Sequence, residues 1–175
     1  MTRGSMRAPS TASVALLLCS ACGWHAGLGV PEGAHSIGVE AVQREGKVLE
    51  RGLEPELTDA LSRAVVDWVD LPLVRSARAD LVVRGEVLEY RRRGGVRNRD
   101  NELVETAVFV RASAELWDRR LGQPIGAAVQ AQEWSGFGLD DPANEEAARA
   151  RALRHVAVSL ILALFEPKAT ESGAR

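Results

Sequence analysis

LVETAVFVRASAELW, residues 103–117, alternates along its whole length. Val104, Thr106, Val108, Val110, Ala112, Ala114 and Leu116 are small, β-branched or aliphatic, while Glu105, Arg111, Ser113 and Glu115 mark the other parity. A period of two is that of a strand with one packed face and one mixed face. Such a strand needs neighbours and a covering layer, and both can be read outward from it. Downstream, Asp118-Arg119-Arg120-Leu121-Gly122-Gln123 predicts a tight connection, and Pro124–Ser135 predicts a further strand with Ile125, Ala127, Val129 and Ala131 on one face, ended by Gly136–Gly138. Upstream, Asp80–Arg91 predicts a strand with Leu81, Val83 and Val87 on one face, and Gly85 sits where something packs closely over the sheet. These three form an antiparallel meander. Ser36–Val42, with Ile37, Val39 and Ala41 alternating, supplies a fourth strand, and Gln43–Gly52 is read as a connection.

The covering layer comes from two segments of different period. In Leu53–Val69, Leu57, Leu61, Ala64, Val65 and Trp68 recur at spacings of four and three, the stripe of an amphipathic helix. Pro55 suits its first turn, Pro72 stops it, and Thr58, Ser62, Arg63 and Asp67 face water or a partner. From Pro142 to about Phe165, Ala147, Ala150, Leu153, Ala157, Leu160, Ile161 and Leu164 keep the helical period after the acidic start Asp140-Asp141. The fold class is therefore α+β: a two-layer sandwich of order β-α-β-β-β-α, two helices on one face of a four-stranded, mixed but mostly antiparallel sheet.

The chain has 175 residues, 46% apolar and 26% charged, which suits one globular domain. Lys and Arg number 22 against 24 Asp and Glu, for a net charge of −2. That balance offers no general attraction to nucleic acid, which is not expected as a partner.

The first residues are an address. Arg3 and Arg7 precede an apolar run around Val14–Leu18 and then small residues, the order of a secretory signal whether translation starts at Met1 or Met6. Leu18-Cys19-Ser20-Ala21-Cys22-Gly23 resembles a bacterial lipobox, with Cys19 where Leu is usual and Leu18 one step earlier. The expected organisation is a signal peptide over 1–21, a lipidated Cys22 opening a Gly-rich tether to residue 35, the α+β domain over 36–166, and a disordered tail over 167–175. The alternatives are secretion after cleavage near Ala21, or a Cys19–Cys22 disulfide. A mature chain with Cys22 as its one cysteine must fold on its core without staples. Because one acyl chain holds only marginally, the two or three of a bacterial lipoprotein make the anchor stable.

Catalytic patterns are sparse. His25 and His35 fall in the tether and His155 in mid-helix, without partners at metal-ligand spacing, and no Gly-x-Ser-x-Gly occurs. Glu86, Glu89, Glu105, Glu115 and Glu133 are read as carboxylates on a solvated sheet face. Neither an enzyme nor a metal or cofactor site is expected. The constellation that stands out is Arg91-Arg92-Arg93-Gly94-Gly95-Val96-Arg97-Asn98-Arg99, read as a cationic hairpin tip. Guanidinium matches phosphate or carboxylate in bidentate geometry, so Arg91, Arg92, Arg93, Arg97 and Arg99 are candidate contacts for a ligand or partner. In an exported lipoprotein, lipid headgroups and lipopolysaccharide are the phosphorylated groups nearby.

Cys22-Gly23-Trp24-His25, the segment Leu53–Leu61 (LEPELTDAL), and Ala79–Tyr90 (ADLVVRGEVLEY), followed by Leu116-Trp117-Asp118, resemble in succession and spacing the LptE family of outer-membrane lipoproteins. No single motif carries the likeness, which covers most of residues 22–165. Trp24 stands where the commoner family pattern has Tyr. The resemblance implies an α+β lipoprotein, palmitate-bearing at its anchor, that plugs the LptD β-barrel at the outer membrane. It faces the periplasm and helps receive lipopolysaccharide, without catalysis. Gly23 after the lipidated Cys fits outer-membrane sorting. The alternative is a periplasmic lipoprotein regulating an envelope enzyme such as a cell-wall synthase.

Overall fold

A computed structural model describes residues 28–166. The leader, Cys22, Trp24, His25 and the tail after 166 lie outside the described residues. The elements run β1 (Ile37–Val39), β2 (Gln43–Arg44), α1 (Leu53–Trp68), a 3₁₀ turn at Ser76–Arg78, β3 (Leu81–Arg93), β4 (Glu105–Asp118), β5 (Gln123–Pro124), β6 (Val129–Gly138) and α2 (Ala143–Phe165). β1 and β2 lie parallel to β3, and every other pairing is antiparallel: β3 with β4, and β4 with both β5 and β6. This is the mixed, mostly antiparallel sheet with two helices that the periodicities predict.

Two of the four expected strands are broken. Residues 36–42 do not form one strand: the chain leaves the sheet after Val39 and rejoins it at Gln43. The cause is Val42, which is buried in place of Ala41 and donates its N–H to the Thr58 hydroxyl on α1, 3.0 Å away. Thr58, read as facing water or a partner, is thus spent inside, where its own hydroxyl also donates to Glu54 O. The stretch 124–135 divides into β5 and β6 around Gly126, whose φ of 78° is in the left-handed region. β6 then runs through Gly136 to Gly138, so these glycines do not end the sheet; Ser135 and Phe137 continue its buried parity.

The core lies between the helices and one sheet face. Leu53, Leu57, Leu61, Ala64 and Val65 of α1 meet Leu81, Val83 and Val87 of β3 and the even residues of β4 from Val108 to Leu116. Trp68 is not part of the α1 stripe: it sits on the last turn and is 48% exposed. The α2 stripe is Ala148, Ala152, Leu153, Val156, Ala157, Leu160, Ile161 and Phe165, so Ala147 and Ala150 face outward. The small residues let α2 pack on both the sheet and α1 at once, which moves its buried face by about one residue from the simple stripe. Asp141 accepts a hydrogen bond from Ala143 N–H at 2.9 Å at its start. Gly85 is the close approach its position predicts, since a Cβ there would stand 3.0 Å from both Leu61 and Val42. Among the described residues no helix is long and apolar enough to cross a membrane.

Candidate recognition surface

The helices cover one face of the sheet, and the other face is the candidate surface. What it displays depends on a single irregularity in β3. Up to Val87 the odd residues face the helices: Val83 pairs with Leu116, Gly85 with Ala114, Val87 with Ala112. The register then shifts between Val87 and Glu89, leaving Leu88 as an extra residue. Beyond this bulge the parity is inverted. Tyr90 and Arg92 now face the helices, while Glu89, Arg91 and Arg93 turn to the open face.

The arginine stretch is therefore not one loop. Arg91, Arg92 and Arg93 belong to β3, and the hairpin tip is confined to residues 94–104, closed by a bridge between Arg97 and Leu103. Gly95 is obligatory in this tip, because a Cβ there would fall 1.7 Å from the Glu105 carbonyl oxygen. The five candidate arginines go three ways. Arg92 points to the helix layer and its Nε donates to Glu145 Oε1 of α2 at 2.5 Å. Arg97 donates to Asn101 O within the tip, and Arg99 is exposed on it. Arg91 and Arg93 converge on the open face.

There the register aligns Arg91, Phe109 and Trp134 in one row across three strands. Phe109 and Trp134 stack with ring centroids 4.4 Å apart and a tilt of 41°. The Arg91 guanidinium lies 4.8 Å from the Phe109 centroid and 5.6 Å from that of Trp134, and Arg93 lies 5.3 Å from Trp134. Such cation–π contacts hold a guanidinium beside the rings, where its edge N–H groups can still donate to an acceptor. Phe109 is 4% exposed although it lies outside the helix-side core. Glu89 bridges Arg91 at 3.2 Å and Arg111 at 3.1 Å, which fixes the row's lower edge. Phe109 and Trp134 were not singled out in the sequence; the signal that marks Phe109 is a large aromatic at an odd, nominally solvent-facing position of β4.

Nearer the start of β3 the same face is more acidic. An open depression of about 420 Å³ is bordered by Glu40, Gln43, Glu86, Ser113 and Glu115. Arg84, also at its border, pairs with Glu40 at 2.7 Å and lies 4.0 Å over the Trp117 ring. Glu133 departs from the expected solvated face: it is on the helix side of β6, 3.7 Å from His155. On the helix side Tyr90 is partly buried, its hydroxyl without a partner among the described residues, and burial, reinforced by Glu145 and Glu50, pushes its pKa up.

The chain matches no family model and no curated protein. Its fold is similar to solved bacterial structures. A protein from Xanthomonas campestris aligns with a TM-score of 0.53 at 16% identity, covering 79% of this chain and 90% of that one. A hypothetical protein from Chlamydia trachomatis gives 0.52 at 11%, covering 75% and 95%. A chain from Caulobacter crescentus, provisionally named a lipoprotein, gives 0.50 at 18%, covering 73% and 86%. At such identities the likeness concerns the fold.

Proposed function

We propose that this is a non-catalytic lipoprotein of the outer membrane, facing the periplasm, that partners an LptD-like β-barrel in lipopolysaccharide transport and assembly. The observation that carries the proposal is the row Arg91–Phe109–Trp134 with Arg93 beside it, on a sheet face that no helix among the described residues covers. Guanidinium groups held beside aromatic rings combine charge-assisted donors with apolar surface, the chemistry that suits an amphiphile bearing phosphate groups. Lipopolysaccharide is such a molecule, and the resemblance of residues 22–165 to the LptE family points to it independently. The lipobox-like segment ending at Cys22 supports the anchor, and the provisional lipoprotein name of the Caulobacter chain of the same fold agrees with it. In this reading Arg91 and Arg93 contact the lipid or the barrel wall, Arg97 and Arg99 extend the cationic edge, and Arg92 is structural. The output is binding without turnover.

The test is affinity purification of the full chain from detergent-solubilised membranes, with mass spectrometry of partners and of the mature N-terminus. A co-purifying outer-membrane barrel and a diacylglyceryl-modified Cys22 are expected. An unmodified N-terminus would remove the anchor, and recovery of a cell-wall synthase without a barrel would replace this partner with the regulatory alternative.

A further inference from the structure

The hydrophobic core opens at the end of the sandwich where the described chain begins. Leu116, Ile125, Leu164 and Phe165, with Gly29, Pro31, Gly126 and the charged Glu166, line a cavity of about 280 Å³ there. Leu116 and Phe165 are core side chains, and Ile125 and Leu164 pack against them from the rim, so the walls are mostly apolar and continuous with the interior, Glu166 being the charged exception. Apolar walls open to water gain free energy from a covering group. The chain itself says what lies within reach. Cys22 is six residues upstream of Leu28, a span of at most about 20 Å when fully extended.

We propose that this cavity takes up part of one fatty acyl chain carried by Cys22. The proposal rests on the lipoprotein reading above and adds a binding site to it. The volume falls just below the roughly 300–1,000 Å³ of small-molecule pockets, which leaves room for one chain segment and not for a whole diacylglyceryl group. The remaining chains stay in the bilayer. One chain in the protein and the others in the membrane hold the cavity end of the domain against the lipid surface. β3 runs from Leu81 at that end to Arg93 at the other, so Arg91 and Arg93 lie roughly 40 Å along the strand from the anchored end, where a partner can reach them. A flexible tether alone imposes no such orientation.

The experiment uses cells fed a diazirine-bearing fatty acid, from which the full chain is isolated, irradiated and digested. Expected are acyl crosslinks on peptides containing Ile125 or Leu164–Phe165, falling about tenfold in Ile125→Asp, equivalent to a loss of about 1.4 kcal/mol, and retained in Ile125→Met. Thermal melts of both variants separate loss of the site from loss of the fold. Crosslinks confined to phospholipid or to other proteins would overturn the proposal, as would equal yields in Ile125→Asp and the native chain. That is the result to expect if residues 23–27 or the tail fill the cavity instead. If the Cys22 peptide carries no acyl mass at all, the lipoprotein reading itself fails, an outcome distinct from acylation without crosslinks.

Discussion

Ser36 and Asp80 hold one another twice. The Ser36 hydroxyl donates to Asp80 Oδ2 at 3.0 Å and accepts from the Asp80 backbone N–H at 3.0 Å, while His35 N–H donates to the same Oδ2 at 2.9 Å. This clasp joins the segment just before β1 to the residue before β3 and so sets the level at which β1 enters the sheet beside Leu81.

The clasp makes stability depend on pH. The His35 backbone N–H, then the Ser36 hydroxyl, lower the Asp80 pKa from its ordinary value, outweighing a small opposing effect of burial. A folded-state pKa below the unfolded one means that the stabilisation is fully present above the unfolded value of about 3.9 and is lost as pH falls through the folded value. Urea midpoints followed downward from neutral pH should therefore decline less steeply in Asp80→Asn than in the native chain. Parallel curves would contradict the clasp.

Gly38 tests a contact between backbones. A Cβ there would lie 2.7 Å from Ser76 Cα and 2.9 Å from Ser76 N, atoms that cannot turn away. Gly38→Ala is expected to cost about 1–3 kcal/mol. Gly85→Ala should cost less, because the tips of Leu61 and Val42 that it meets can rotate. Denaturant titration of the two variants gives the order directly.

The helix layer offers a contrast of buried and exposed apolar residues. Leu57→Ala and Leu160→Ala remove fully buried side chains and should each cost about 2–5 kcal/mol. Trp68→Ala, despite the larger side chain, should stay near the roughly ±0.5 kcal/mol of surface changes. A large loss at Trp68 would mean that the end of α1 is covered after all.

The bulge at Leu88 separates neighbours in sequence by role. Arg91→Gln and Arg93→Gln should weaken lipopolysaccharide binding in low salt, together by about tenfold or more, and Trp134→Ala should weaken it as well. Arg92→Gln should leave affinity unchanged while loosening the contact of β3 with Glu145. Equal effects from all three arginines would show that the face does not discriminate as the register requires.

Much of this protein is legible without coordinates. Leu57, Leu61, Ala64 and Val65 announce α1, and the even residues of β4 announce its buried face, because the periods of 3.6 and 2 are imposed by local backbone geometry. The departures have a common origin. Ala41 gives way to Val42 because α1 lies where Thr58 can accept its N–H, and Gly136–Gly138 stay in β6 because β4 pairs with them to the end. Both are decided by neighbours distant in sequence.

The arginines show the boundary most clearly. Composition and order determined that a cationic cluster exists between two strands, since residue type needs no fold to be known. Which of its members share a surface was decided by the tertiary structure alone. One extra residue at position 88 inverts the parity of everything after it, turning Arg92 toward α2 and laying Arg91 and Arg93 beside Phe109 and Trp134. A period of two carries no memory of a skipped residue, so only the partner strand can reveal where the count begins again.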